Sequence, residues 1–169
     1  MIRDEIFEQV YNESFSIIYR MVYRLTGDSS VAEDICHEAF LKYYPRVEEI
    51  PDNKQALYWL LRVAKNMTYN FLKKKQREGK LLNKLYKEIP YKEQSEEGRF
   101  VDKEVAQEVR AKIEQLPYKL RVPLILREYE GLSYRDIAEV MNITENNVKI
   151  RIFRARNKLA ELLSSGGSL

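Results

Sequence analysis

A chain of 169 residues is long enough for one ordinary domain or two small ones. Its 44% hydrophobic content allows packed cores, and 33% charged residues call for a large solvated or ligand-facing surface. Six glycines and five prolines are too few for a mostly β or looped protein, and the abundance of Leu, Glu, Lys, Arg and Ile favours helices.

Net charge is only +3, but it is unevenly spread. Residues 1–50 carry net −5, residues 51–80 net +6, residues 81–117 net −1 and residues 118–169 net +3. Two basic segments between acidic ones suggest two separate anion-facing surfaces. Cys36 is the only cysteine, which excludes an intramolecular disulfide, and His37 is the only histidine. No cluster has zinc-ligand spacing, so neither metal nor cofactor is expected. The N-terminus does not read as a signal peptide, and no stretch approaches the roughly 18 apolar residues of a membrane span. The expected location is the cytoplasm, without membrane insertion.

In chain order, residues 4–26 show helical periodicity, with Phe7, Val10, Tyr11, Ser14, Ile17, Ile18, Met21, Val22 and Leu25 on one stripe. Gly27 is placed to end that helix. Ser30 and Glu33 fit a capping box that starts a second helix, which holds Val31, Ile35, Ala39, Phe40 and Tyr43 and stops near Pro45. Residues 46–54 read as a loop, with Pro51, Asp52 and Asn53 as turn residues. A third helix is expected from about Gln55 to Lys75, with Leu57, Leu60, Ala64, Met67, Phe71 and Leu72 turned inward. The basic run Lys73 to Arg77 then leads into a Glu-rich segment containing Pro90 and Gly98, which reads as a linker with at most a turn or two of helix.

A second helical block follows. One helix is expected from Val101 to Gln115, and another with Pro117 in its first turn, running to Glu130, with Pro123 either kinking it or marking its start. Gly131 ends it, and Ser133 with Asp136 carries another capping signature. The helix this opens closes near Met141. Thr144 caps the last helix, expected to reach Leu163 before a frayed tail from Ser164 to Leu169. The fold class is therefore all-α: two small helical domains joined by a flexible linker.

Residues 133–156 have helix-turn-helix spacing. Ala138 must be small where the second helix crosses. Asn142, in the turn, tolerates the positive φ that Gly usually supplies, and Val148 docks the second helix. At 100° per residue, Val148, Ile152, Ala155, Leu159 and Leu162 share the inner face. Asn146, Lys149, Ile150, Phe153 and Arg154 are left for the groove. Apolar Ile150 and Phe153 suit thymine methyls and sugars, and Lys149 and Arg154 suit guanine edges or phosphates. Arg151, Arg156 and Lys158 flank this face as phosphate anchors. A helical hairpin with a charged solvent face is the plainer alternative, and it leaves the exposed apolar pair unexplained.

On the third helix, Trp59, Arg62, Lys65, Asn66, Tyr69 and Lys73 interleave cations, aromatics and an amide, with Tyr58 alongside. Single-stranded DNA fits such a face: bases stack on rings, phosphates meet cations and the amide offers both a donor and an acceptor. Taken alone, Trp59 reads better as a core anchor. Asp34, His37, Glu38 and Leu41 form a second stripe on the second helix, suited to a basic helical partner, although a solvated face is the plainer reading.

These residues together resemble a known family. Tyr23 to Asp28 (Tyr-Arg-Leu-Thr-Gly-Asp), Ala32 to Lys42 (Ala-Glu-Asp-Ile-Cys-His-Glu-Ala-Phe-Leu-Lys) and Trp59 to Asn66 (Trp-Leu-Leu-Arg-Val-Ala-Lys-Asn) resemble conserved region 2 of extracytoplasmic-function (ECF) sigma factors of the sigma-70 family. Leu116 to Arg121, Leu124 to Tyr134 and Val148 to Arg156 resemble region 4. The resemblance implies a region 2 domain over 1–76, a linker over 77–104 and a region 4 domain over 105–165. It implies a non-enzymatic protein that binds core RNA polymerase and directs initiation at promoters.

By that resemblance, Asp34, His37, Glu38 and Leu41 dock on the clamp helices of the polymerase β′ subunit, and region 4 meets the β flap. The −10 strand falls to Asn53, Lys54, Trp59, Arg62, Lys65, Asn66, Tyr69 and Lys73. Asn66 reads a flipped-out base, and the loop Ile50–Gln55 shapes its pocket. The −35 duplex falls to Asn146, Asn147, Lys149, Ile150, Arg151, Phe153, Arg154 and Arg156. The family often has Gln in place of His37 and Ser in place of Ile150. An anti-sigma factor is a further partner common in the family. Two rivals are a one-component helix-turn-helix regulator, which leaves the basic aromatic helix without a purpose, and a nuclease. The second fails on acids, since residues 51–80 contain only Asp52 and Glu78.

Overall fold

The computed structural model describes residues 2–85 and 101–167, with side chains described for 2–79 and 104–165. Seven α-helices and one short 3₁₀ turn make up the described chain: α1 (Ile2–Thr26), α2 (Ser29–Tyr43), the 3₁₀ turn (Tyr44–Arg46), α3 (Asn53–Leu85), α4 (Val101–Glu114), α5 (Tyr118–Glu128), α6 (Tyr134–Met141) and α7 (Glu145–Gly167). Helices α1, α2 and α3 pack on one another as an N-terminal bundle, and α4 to α7 form the C-terminal body, with α5 and α6 both against α7.

The expected stripe of α1 is the one that packs: Val10, Ser14, Ile18, Met21, Val22 and Leu25 are buried, and Phe7, Tyr11 and Ile17 lie against them. Gly27 ends the helix at φ 71°, and its N–H donates to the Tyr23 carbonyl at 2.7 Å. The cap of α2 corrects the sequence reading. Asp28, not Ser30, is the N-cap, its carboxylate accepting from the Val31 N–H at 3.2 Å. Asp and Ser cap about equally well, and the positive φ of Gly27 leaves the chain extended at the very next residue. Glu33 is left on the exposed face.

Helix α3 starts at Asn53 and continues through the Lys73–Arg77 run to Leu85, past its expected end at Lys75. Its inward residues include Ala56, Leu60, Leu61 and Ala64, and the buried Thr68 hydroxyl donates to the Ala64 carbonyl at 2.7 Å. The Pro90 to Gly98 part of the expected linker lies outside the described residues.

In the second block, Pro117 is the N-cap of α5, and Pro123 lies inside that helix, buried, without breaking it. Gly131 (φ 67°) closes the turn after α5, and Ser133 caps α6 by accepting from the Asp136 N–H at 3.0 Å. Thr144 caps α7 through the Asn147 N–H at 3.1 Å. Helix α7 overruns its expected end at Leu163 and reaches Gly167. The Ser164 and Ser165 hydroxyls donate back to the Glu161 carbonyl at 3.2 and 2.8 Å, the local bonding open to a serine inside a helix.

The two bodies touch. Helix α6 packs on α3, and α5 on α1. Arg20 of α1 bonds the Glu130 carboxylate at 2.7 Å, where the Glu130 side chain is only 3% exposed. Arg24 lies 3.7 Å from the centre of the Tyr129 ring, and Arg110 of α4 lies 4.5 Å from that of Tyr23.

Candidate nucleic-acid and polymerase interfaces

Helices α6 and α7 form the expected helix-turn-helix. Asn142 adopts φ 55°, ψ 48°, the one positive-φ residue other than glycine among those described, and its N–H donates to the Ala138 carbonyl. The Ile143 N–H reaches the same carbonyl at 3.2 Å, so the αL residue ties off the end of α6. Val148, Ile152 and Ala155 are buried, which rolls the opposite face of α7 outward. On that face Phe153 is 65% exposed and Ile150 38% exposed. Exposed with them are Asn146, Asn147, Lys149 and Arg154. Two cations of the expected set are engaged differently. Arg156 donates to Glu128 at 2.9 Å, and Arg151 is half-buried, lining a cleft shared with α3.

On α3 the expected face divides around the helix. Trp59 is half-buried, 6.0 Å from the Tyr43 ring, with the Arg46 guanidinium 5.7 Å from its centre, so it is both anchor and wall. On one side of it a cavity of about 370 Å³ is lined by Ile50, Pro51, Asp52, Gln55, Tyr58 and Arg62. The Tyr43 hydroxyl, pushed up in pKa by burial, donates to the Ile50 carbonyl at 2.9 Å and so fixes the loop that walls this cavity. Across Trp59, a second cavity of about 520 Å³ takes in Lys42, Val63, Asn66 and Met67. Asn66 and Tyr69 are exposed, and Lys73 sits 5.5 Å from the Tyr69 ring centre. Asn53 donates to Glu13 at 3.0 Å, an engagement with α1.

The remaining members of the α3 face meet the C-terminal body. Lys54 is 3.7 Å from the Asp136 carboxylate, which also accepts from the Tyr58 hydroxyl. Arg62 donates to the backbone carbonyls of Val140, at 3.3 Å, and Glu139. Burial pushes the Asp136 carboxyl up, but the Tyr58 and Ser133 hydroxyls and Lys54 outweigh it and hold the group below its ordinary value. Lys65 is lowered by burial and by the neighbouring charges of Arg62 and Arg151. Sequence reasoning did not find the partners Asp136, Glu139 and Glu130, because nothing in their local pattern points across the chain.

Asp34, His37, Glu38 and Leu41 all stand on the outer face of α2. Leu41 is 73% exposed, His37 meets Phe15 edge-on at 5.5 Å, and Glu38 pairs loosely with Lys42 at 4.0 Å. Cys36, on the opposite face, is fully buried. Among the described residues no group of three or more His, Cys, Asp or Glu side chains is placed to hold a metal ion, and no helix is long and apolar enough to cross a membrane.

A helix-turn-helix body joined to a bundle with a cationic aromatic helix and an exposed acidic-apolar stripe defines a two-part DNA-binding transcription protein. Sigma-70 region 2 matches residues 10–78, and Sigma-70 region 4 matches residues 106–159. The chain belongs to the sigma-70 family, in its extracytoplasmic-function group, and directs transcription initiation. It is 32% identical over 154 residues to the ECF RNA polymerase sigma factor SigW of Bacillus subtilis, covering 86% of this chain and 82% of that one. It is 33% identical over 154 residues to the RNA polymerase sigma-H factor of Pseudomonas aeruginosa, covering 86% and 80%. The fold is shared with the sigma factor RpoE of Bartonella quintana, solved in complex with the anti-sigma factor NepR, at a TM-score of 0.70 and 23% identity over 94% of this chain and 96% of that one. The match of region 2 to the first block removes the one-component regulator as an explanation, since that reading left this block without a role.

Proposed function

We propose that the chain works in the cytoplasm as a bridge between core RNA polymerase and two promoter elements, with the division of labour set by its exposed faces. The α2 stripe of Asp34, His37, Glu38 and Leu41 docks on the β′ clamp helices, where an exposed leucine among acids suits a basic helical partner. Region 4 meets the β flap and lays α7 in the major groove of the −35 element. Lys149, Ile150, Phe153 and Arg154 read base edges there, Asn146 and Asn147 sit at the start of the helix, and Arg151 and Arg156 serve phosphates, Arg156 once released from Glu128. The α3 face takes the non-template strand of the −10 element. Asn66 and the two cavities beside Trp59 receive unpaired bases, and Lys54, Arg62, Lys65 and Lys73 meet phosphates, with Tyr69 offering a ring for stacking.

The observation that carries this reading is the pair of cavities flanking Trp59 on a cationic helix, one of them walled by a loop that Tyr43 pins. Sites that accept bases only when they are unpaired bind the melted state alone. Their binding energy therefore shifts the duplex toward opening, without bond-making by the protein. The RpoE neighbour was solved with an anti-sigma factor, and by that likeness such a protein is a candidate partner here.

Run-off transcription with purified core polymerase, followed by mapping of start sites, tests the reading. Initiation at defined sites is expected only when the chain is present. Asn66→Ala should weaken opening without loss of −35 binding. A chain that neither associates with the core enzyme nor directs initiation at any site overturns it.

A further inference from the structure

A cleft of about 820 Å³ opens where α3, α5 and α7 meet, within the size range of a small-molecule site. Six cations line it: Lys65 and Lys73 from α3, Lys119 and Arg121 from α5, and Arg151 and Lys158 from α7. Among the described lining residues Glu114 is the only acid, and its charge acts on Arg121. None of the six cations forms a salt bridge with a described residue. Elsewhere between the two bodies the cations do find carboxylates, Arg20 at Glu130 and Lys54 at Asp136.

The excess charge has local consequences. Burial and the like charges of Arg62 and Arg151 lower the Lys65 ammonium. One Nη of Arg121 donates to the carbonyls of Glu114 and Leu116 at 3.0 and 3.1 Å, while its buried Nε finds no acceptor among the described residues. Like charges gathered from three helices into one partly enclosed cleft repel one another, and an anion seated among them turns that repulsion into attraction. So many cations, spread over facing walls, suit more than one phosphate group. Beside them the Tyr69 ring is 41% exposed and lies 5.2 Å from the Tyr118 ring, which its own hydrogen bond to the Lys65 carbonyl holds in place. A free aromatic face next to a phosphate subsite suits a nucleobase.

We propose that this cleft binds a small diphosphate-bearing anion, seated between Lys65 and Lys73 on one wall and Lys119, Arg121, Arg151 and Lys158 on the other. The inference goes beyond promoter reading, because the ligand is a free small molecule, and Lys119 and Arg121 belong to neither DNA face. It stands on the composition of the cleft and not on the reading of α3.

The test is isothermal titration calorimetry of the full chain in magnesium-free buffer, with inorganic pyrophosphate and with GDP as the probes. Saturable binding at a single site is expected. Lys119→Gln should weaken it about three- to fivefold, the weight of one exposed ion pair. Lys119→Gln combined with Lys158→Gln should weaken it about tenfold or more. Both lysines are exposed, so the variants keep the fold, which helical circular dichroism checks. Arg3→Gln, the same loss of charge at the start of α1, should leave binding unchanged. GDP binding about fivefold or more tighter than pyrophosphate assigns a nucleotide with its base stacked on Tyr69. Equal affinities assign the inorganic diphosphate. No saturable binding of either probe, or an equal loss in Arg3→Gln, overturns the site. A −10 single strand whose binding falls with Lys119→Gln while neither probe binds shows that the cleft cations serve nucleic acid, and overturns it likewise. Initiation with core polymerase reports on the strand reading alone, so the two readings fail separately.

Discussion

The hydroxyl of Tyr118, on α5, donates to the backbone carbonyl of Lys65, on α3, at 2.7 Å across 53 residues of sequence. The carbonyl has a second lone pair beyond the one its helix uses, so the bond adds a tie between the bodies without taking one from α3. Burial pushes the Tyr118 hydroxyl up in pKa, with the nearby Arg121 charge opposing it, so the proton that makes the bond stays in place at neutral pH. Tyr118→Phe should lower stability by about 1 kcal/mol, as one buried neutral hydrogen bond does. Urea unfolding followed by helical circular dichroism measures this. A loss well under ~0.5 kcal/mol would mean that the two bodies separate before either unfolds.

Asn142 marks the helix-turn-helix by its backbone. At φ 55° a side chain with a Cβ is strained, and Asn is tolerated because its short polar group suits the left-handed region. Asn142→Gly should be neutral or stabilising by up to about 1 kcal/mol. Asn142→Ala should be destabilising by roughly 1 kcal/mol and should loosen the angle between α6 and α7, weakening binding to −35 duplex. Thermal melts and duplex titration measure the two effects. A more stable Ala variant would mean that the turn relaxes away from positive φ.

That turn was legible in the sequence because its cause is local. Gly27, Gly131, Ser133, Thr144 and Asn142 each act on backbone groups within a few residues, and each sits where spacing put it. The cap of α2 was misread because Ser30 with Glu33 satisfies the capping pattern as well as Asp28 does, and only the geometry after Gly27 separates them. The lengths of α3 and α7 were underestimated for a related reason. A run of lysines or a Ser-Ser pair weakens the expectation of helix without forbidding it, and no proline follows closely to stop either one. The face that α6 presents to α3 had no signature at all. Asp136 reads locally as an α6 capping residue, and its link to Tyr58 spans 78 residues.

Cys36 is buried among α2 core residues, and desolvation raises its thiol from 9.0 to about 12. In the unfolded chain the thiol ionises at its ordinary value, so above that pH the unfolded state releases a proton that the folded state keeps. Stability from this group is therefore fully present below about pH 9 and declines as pH rises from there toward 12. A thiol-specific reagent at pH 8 should leave the native chain unmodified for hours and label it at once in denaturant. Fast labelling of native protein would show that α2 opens readily away from the bundle.

Phe153 and Leu41 test whether exposed apolar residues carry binding and not packing. Phe153 is 65% exposed on α7 and Leu41 73% exposed on α2, so truncating either to Ala removes little buried area and should change stability by less than ~0.5 kcal/mol. Function should separate them. Phe153→Ala should weaken binding to −35 duplex by about tenfold while leaving association with core polymerase intact, since burying a phenylalanine side chain against a base or sugar is worth roughly 1.5–3 kcal/mol. Leu41→Ala should do the reverse, weakening assembly with core polymerase by a similar factor through loss of an apolar anchor. Gel-shift titration with the −35 duplex and fluorescence anisotropy with labelled chain and core enzyme read the two arms. The crossed pattern matters more than either magnitude. If both variants lost both activities together, the cause would lie in the shared fold, and the assignment of separate faces to DNA and polymerase would fail.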